Sequence, residues 1–465
     1  MARFIVKHIH SAATCPAQNP QRGAMLLNHL SRPNVARFGI RIHGEAVVKG
    51  EHTLYLIVEA DDSGKVTEFV APFSTAGSVD VYPASTCSGV VAAGSCDAPL
   101  PTHDLGPSLN PEDACQEAID SGLVVHRAHP LNCETSIPAL IGGVVMPNAR
   151  FYLRNHFHIP HLTAESYRLT IGGLVANPLS LGIHELRGMR SESRVVTLEC
   201  AGNGRTLFDP PIEGEKWDYG AVSTAEWTGV PLSEVLKLAV LKDNARSVVF
   251  QGADGGKVEG RSDSVNYERS LKLEDRHFDE ALLAYAMNGE PPSIAHGYPL
   301  RLIMPNWYAV ASVKWLTHIE VVANDFDGFF QTDRYRYRWN RGGKELTEPV
   351  TLQKVRALIT EPGAFEELPR GRLAIRGVAW SGNSGIAQVS VSVGDGEWRP
   401  ARLLGESRPG SWRWWELIAD FNHPGPSSVR ARAADLARNI QPERAEWNAL
   451  GYGNNSIQRV PIRII

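Results

Sequence analysis

The sequence predicts an α+β protein in three parts. An N-terminal ferredoxin-like βαββαβ module leads into a mixed α/β block, and a C-terminal immunoglobulin-like β-sandwich follows. Three observations carry this. The chain has 465 residues, more than one hydrophobic core organises. Strand and helix patterns alternate in a set order over residues 1–95. From about residue 350 the texture changes to short alternating strands joined by turn residues.

In the first part, "RFIVKHI" reads as a strand and "PQRGAMLLNHLS" as a helix. "VARFGIRIHGEAVV" and "HTLYLIVEAD" read as a hairpin, "GKVTEFVAPFS" as a second helix and "SVDVYPAS" as the last strand. That order is the split βαβ arrangement. Residues 96–125, which include "CDAPLPTHDLGPSLNPED", are rich in Pro, Asp and Gly and read as a linker.

Residues 126–345 form the mixed block, large enough to bury a site. "YRLTIGGLV", "SVVFQGAD", "LRLIMP" and "VKWLTHIEVV" read as strands, and "PLSEVLKLAVL" and "DEALLAYAM" as helices. Residues 346–465 carry the sandwich strands "RLAIRGVAW", "IAQVSVSVGDGEW", "RWWELIADFN", "SVRARAADL" and "QRVPIRII".

Apolar residues make up 43% and charged residues 21%, ordinary for a globular protein. A net charge of −4 gives no electrostatic case for nucleic acid or an anionic membrane. No stretch approaches the ~20 apolar residues of a membrane helix. The N-terminus shows no signal peptide, so a cytoplasmic location is expected, or a periplasmic one if the start is misassigned. Six cysteines (Cys15, Cys87, Cys96, Cys115, Cys133 and Cys200) show no CxxC spacing. Reduced, mostly inert thiols are the expectation.

Cys200 stands apart. In "TLECAGNGR" it ends a β-prone run and opens a glycine-punctuated turn that closes on Arg205. A strand end presents a thiol rigidly, small neighbours let a bulky group approach the backbone, and a nearby arginine favours thiolate. Thiolate suits nucleophilic attack or a soft metal. On these residues alone, a buried inert cysteine stands as an equal alternative.

Residues 125–465 resemble the sulfite oxidase family of molybdenum enzymes. "FYLRNHFHIP", "LECAGNGR", "EKWDYGAVSTAEWTGVPLSEVL", "LLAYAMNGEPP", "HGYPLRLIMP", "SVKWL", "GVAWSG" and "ARNIQP" follow in the family's order. The resemblance implies a molybdenum–molybdopterin cofactor, without appended nucleotide, held to the protein through the Cys200 thiolate. It implies oxygen-atom transfer to a small sulfur oxyanion, sulfite to sulfate. No haem-binding stretch is recognisable, so electrons are expected to pass to an external acceptor: a cytochrome, another protein or dioxygen. A homodimer through the C-terminal sandwich is also implied.

Residue by residue, the resemblance assigns Arg154 and Arg205 to the substrate side, where guanidinium groups suit an oxyanion. Tyr335, or Tyr337 in the alternative register, would aim its hydroxyl at the metal, and Trp217 would border the substrate channel. Asn155, His156, Asp254, His296, Arg301, Ser312 and Lys314 would grip the pterin and its phosphate. Each also has an ordinary structural reading: salt-bridged arginines, a turn-forming aspartate, a core tryptophan, a packed histidine.

Two departures matter. Animal-type members carry two arginines after Cys-Ala-Gly-Asn, whereas Gly204 precedes Arg205 here, as in sulfane dehydrogenase-like and other bacterial members. Gln388 aligns where a substrate-side arginine is expected from the sandwich. A sulfane dehydrogenase-like enzyme acting on protein-bound or organic sulfur is therefore the alternative. A non-catalytic binding protein on the same fold is a third reading, disfavoured because Cys200, Arg154, Arg205 and Tyr335 are all kept. At the N-terminus, His8 and His10 share a strand face with Cys15 nearby; a metal site and a solvated face explain them alike.

Overall fold

The computed structural model describes residues 2–48, 50–60, 63–84, 111–140 and 143–465. Contacts separate two compact units, Met1–Gly106 and Pro107–Ile465.

In the first unit, strands Ala2–His10, Arg41–Val48, Thr53–Ala60 and Gly77–Ala84 form one antiparallel sheet. Across the sheet the order is Arg41–Val48, Thr53–Ala60, Ala2–His10, Gly77–Ala84. Helices Pro20–His29 and Ser63–Val70 fall where the sequence places them. A further helix, Arg32–Arg37, takes Val35, Ala36 and Arg37 from the expected hairpin, with proline in its first turn where a missing N–H is harmless. Period-two burial on the central strands (Phe4, Val6; Leu54, Leu56, Val58) meets Val66, Phe69 and Phe73 in a single core. His8 turns into this core: it is 4% exposed and its Nδ1 lies 3.1 Å from the Ser78 carbonyl oxygen. A solvated strand face is therefore not what carries His8.

In the second unit, the expected linker 96–125 divides. Residues 96–110 lie outside the described residues, whereas Pro111–Asp120 is a helix and Leu123–Arg127 a strand. Ala114 and Ala118, four residues apart, bury one face of that helix. Proline, aspartate and glutamate open helices as readily as they fill loops.

Two sheets frame the middle block. One is antiparallel and runs Arg301–Ile303, Leu282–Met287, Val222–Pro231, Glu192–Glu199. The other runs Ser264–Lys272, Ser247–Lys257, Leu316–Val322, Leu169–Gly173, Leu179–Leu181, with one parallel pair. "DEALLAYAM" is thus not a helix: Leu282–Met287 is a strand bonded on both sides. Its Leu and Ala content favours helix, but Leu282, Leu283 and Ala284 are all fully buried. A short apolar run buried on both faces cannot be told from a helix by periodicity. Leu232–Ala239 is helical as expected.

The C-terminal part stacks two sheets. One orders Arg356–Glu361, Gly371–Trp380, Arg413–Phe421, Arg402–Leu403; the other Glu366–Leu368, Gln458–Ile464, Gly425–Asp435, Ile386–Val393, Arg399–Pro400. Alternation is clear along Gly425–Asp435, where Val429, Ala431 and Ala433 face the shared core and Arg430 and Arg432 do not.

Candidate active site

Cys200 directly follows the strand Glu192–Glu199. Its N–H donates to the Ala221 carbonyl (2.9 Å), and its carbonyl accepts from the Asn203 N–H (2.9 Å). Gly204 holds φ +81°, a left-handed conformation, and a Cβ there would meet Arg356 Nη2 at 3.1 Å. A Cβ on Gly202 would stand 2.7 Å from the Arg205 guanidinium. The turn's two glycines therefore make room for two arginines.

Beneath the turn lies a buried ion pair. Glu199 accepts from Arg356 Nη1 (3.0 Å), Asn203 Nδ2 (3.0 Å) and Trp380 Nε1 (2.9 Å). Arg356 and Trp380 belong to the C-terminal part, so that part props the cysteine turn. Nothing in the sequence marks Arg356, which pairs with a glutamate 157 positions away.

Beside Cys200 lies a partly open cavity of about 60 Å³. Arg154, Asn155, His156, Cys200, Asp254, His296, Arg301, Ser312, Lys314 and Tyr335 line it, drawn from both sheets. Asp254 reaches it from a bulge, since the strand Ser247–Lys257 slips register between Gln251 and Gly255. Bulges commonly re-aim a side chain beside a site. The Arg154–His156 segment is docked on the buried side chain of Asn132, whose Oδ1 accepts from Asn155 N (2.8 Å) and Arg154 Nη1 (3.2 Å). Asn132 carries no sequence signal. Tyr152, Tyr267 and Trp315 also line the cavity; the sequence does not mark them, because buried aromatics read as core.

Two of the expected residues stand behind the wall. Trp217 is fully buried, clustered with Phe151, Cys200 and Trp227 and edge-on to His126. Arg205 donates to the carbonyls of Glu215 (3.1 Å) and Leu450 (3.4 Å) and lies over the Tyr452 ring at 5.4 Å. Tyr452 stacks on Tyr335 with centroids 5.0 Å apart, so Arg205 meets the cavity through two rings. Tyr337 stacks on Trp339 and does not line the cavity. Gln388 is exposed on the sandwich, bonded to Ser390 Oγ at 3.2 Å, and is not part of the lining.

The electrostatics favour an anion. Arg154, Arg301 and Lys314 face a single carboxylate, Asp254, among the lining residues. Burial pushes Lys314 well below its ordinary range, helped by Arg301, and pushes Asp254 up. Burial, then Lys314 and Arg301, hold His296 down to about 3. His156 is also held well below its usual value, by burial and then Arg154. Burial raises the Cys200 thiol, while Arg154, the Gly202 N–H and Arg205 pull it towards thiolate. Tyr335 has φ +56°, strained for a non-glycine residue.

Against this geometry, residues 156–330 match the family model described as the oxidoreductase molybdopterin binding domain. Residues 349–465 match the Mo-co oxidoreductase dimerisation domain. Residues 10–95 match a domain of unknown function, DUF3303. Sulfite oxidase of Arabidopsis thaliana is 33% identical over 374 residues, covering 74% of this chain and 94% of that protein. The chain belongs to the sulfite oxidase family. Mitochondrial sulfite oxidase of Homo sapiens is 31% identical over 403 residues, covering 78% of this chain and 72% of that protein. The solved sulfane dehydrogenase SoxCD from Paracoccus pantotrophus matches with TM-score 0.64 and 28% identity, over 72% of this chain and 85% of that one.

The chain is thus an enzyme of the sulfite oxidase type, and membership implies a molybdenum cofactor on molybdopterin. The residues fit such a group. Arg301 Nε and Asp254 Oδ1 are buried without a partner in another residue among those described. Buried polar atoms left unpaired call for a ligand. The lining offers Arg301, Lys314, His296 and Ser312 as polar and cationic groups suited to an anionic ligand, and Cys200 as a soft sulfur suited to a metal. Among the described residues, no helix is long and apolar enough to cross a membrane.

Proposed function

We propose that this enzyme oxidises sulfite to sulfate and passes the electrons to an external acceptor. The observation that carries the reading is the buried, net-cationic cavity that has Cys200 and Arg154 in its lining. When bound, the molybdenum cofactor supplies the transferred oxygen atom and accepts two electrons. Cys200 is its protein ligand. Arg154 neutralises the substrate oxyanion from a dry wall, where one charge-assisted contact is worth about 1.5–3 kcal/mol. Tyr335 presents a neutral phenol, kept protonated by burial, and His156 orients it. Arg205 acts at one remove, through Tyr452. Trp217 backs the cysteine from behind the wall. Asn155, Asp254, His296, Arg301, Ser312 and Lys314 hold the pterin.

The finer assignments form part of the same reading. The cofactor is plain molybdopterin, no haem is carried, and the sandwich, immunoglobulin-like, joins two copies. Domain limits fall near 95 and 345, the N-terminal module is ferredoxin-like, and the location is cytoplasmic.

A sulfane dehydrogenase-like activity is the second reading. The SoxCD match and Gly204 favour it, since a glycine there removes one cation from the cysteine turn. The test is one preparation from a host that makes the molybdenum cofactor. It should hold about one molybdenum per chain and oxidise sulfite with a cytochrome acceptor. Turnover of thiosulfate or a persulfide but not sulfite would select the second reading. Absence of molybdenum from a folded preparation would remove both.

A further inference from the structure

We propose that His10, Cys15 and His52 bind a late first-row transition-metal ion, Zn²⁺ or copper, in the N-terminal module. One ligating atom from each, two imidazole nitrogens and the thiol sulfur, lies within 4.8 Å of the others. The three come from separate segments. His10 ends the strand Ala2–His10, Cys15 sits between the 3-10 turns Ala12–Thr14 and Pro16–Gln18, and His52 precedes the strand Thr53–Ala60.

Their convergence is built into the backbone. The His10 N–H donates to the His52 carbonyl (3.0 Å), fixing one histidine against the other. The turn before Cys15 is closed by a Ser11–Thr14 capping box, and Thr14 Oγ1 donates to the Ala76 carbonyl (2.7 Å). Cys15 is thereby anchored to the sheet's end.

Two further observations point to a ligand. Nδ1 of His10 is buried and has no hydrogen-bond partner among the described residues. A buried nitrogen left unpaired is a cost that a bound ion removes. His52 holds φ +51°, an uncommon conformation for a non-glycine residue, and such strain gathers at functional sites. His8 stands behind the cluster: its ring stacks on His10 at 5.2 Å, while its Nδ1 is taken by Ser78.

The donor set selects the ion. Two imidazoles and a thiolate suit Zn²⁺ and copper and exclude hard cations such as Mg²⁺. Metal–ligand bonds of ~2.0–2.3 Å place tetrahedral donors roughly 3.3–3.8 Å apart, so closure by about 1 Å completes the site. Rotation of three partly exposed side chains supplies that movement. Three protein ligands leave a fourth position for water or a small ligand. The site is independent of Cys200 and of the substrate assignment.

The experiment uses the full chain in a Cys200→Ser background, so that metal at Cys200 is not counted. The chain is stripped with chelator, incubated separately with Zn²⁺ and Cu⁺, desalted and analysed by mass spectrometry. About one ion per chain is expected with at least one metal, and the better retained metal identifies the ion. Cys15→Ser and His52→Asn should each cut retention at least about tenfold with an unchanged far-ultraviolet circular dichroism spectrum. Asparagine tolerates the left-handed backbone at position 52, which guards against misfolding. Retention of neither metal by the parent chain, or undiminished retention by both folded variants, would overturn the proposal.

Discussion

The phenol oxygen of Tyr335 lies 2.6 Å from Nε2 of His156. Burial disfavours charge on both rings, so a neutral phenol meets a neutral imidazole. The pair is clamped by Tyr267, stacked on His156 at 4.8 Å, and by Tyr452, stacked on Tyr335.

That pair yields the first prediction. Tyr335→Phe keeps the stacking and removes the hydroxyl. Its kcat with sulfite should fall about 10- to 100-fold, the worth of one positioned hydrogen bond, with molybdenum content unchanged. Loss of molybdenum instead would make Tyr335 a cofactor-holding residue.

Arg154 and Arg205 should separate cleanly. Arg154→Gln, in the cavity wall, should raise KM for sulfite about 10- to 100-fold. Arg205→Gln, shielded by Tyr452, should raise it less than about tenfold. Equal effects in steady-state kinetics would place both guanidinium groups on the substrate.

Cys200→Ser should reduce sulfite oxidation to background, because a hard alkoxide replaces a soft thiolate. Its thermal midpoint should stay close to the parent value in cofactor-free protein. Substantial turnover by this variant would refute the ligand role.

Acid should weaken the cofactor-free protein through its buried histidines. The folded-state pKa of His296 is about 3 against 6.5 for the free side chain. Between those values the unfolded chain binds a proton that the folded chain refuses. The stability is full above about pH 6.5 and falls as pH drops, by up to ~1.4 kcal/mol per pH unit for each such group. His156 acts in the same direction. Asp254, pushed up by burial, acts in the opposite direction, so the readout is a difference: in urea titrations from about pH 7 to pH 5, His296→Gln should lose less stability on acidification than the parent. Equal losses in parent and variant would show that His296 takes its proton without unfolding.

Arg356→Met leaves Glu199 buried without its cation, held only by Asn203 and Trp380. Such a change should cost about 3–5 kcal/mol in denaturant unfolding. It should also lower molybdenum retention, because the cysteine turn rests on that pair. A stability change below about 1 kcal/mol would show that water reaches the carboxylate.

Much of this was legible in the sequence. Period-two strands such as Gly371–Trp380 and Gly425–Asp435 are local patterns, and the Cys200 turn declares itself through its glycines. Local patterns failed where neighbours decide. The run Leu282–Met287 reads as helix until strands on both sides claim its backbone. Arg205 sits five residues after Cys200, yet a 3-10 turn, Arg205–Leu207, carries it behind Tyr452. Asn132 and Arg356 work across long separations, which composition and spacing do not report. Alternation groups His8 with His10, whereas His52, from a distant hairpin, joins His10 and Cys15 in the cluster.

The Glu199–Arg356 contact also bears on how such a chain can be rearranged. The catalytic half does not own its cysteine turn outright, because the footing is shared with a strand that begins at Arg356. Recombination that swapped one half alone would need to bring a matching acid and base together in the same event. Gene fusions and splits in this lineage are therefore expected to spare this junction and to fall upstream, at the N-terminal module.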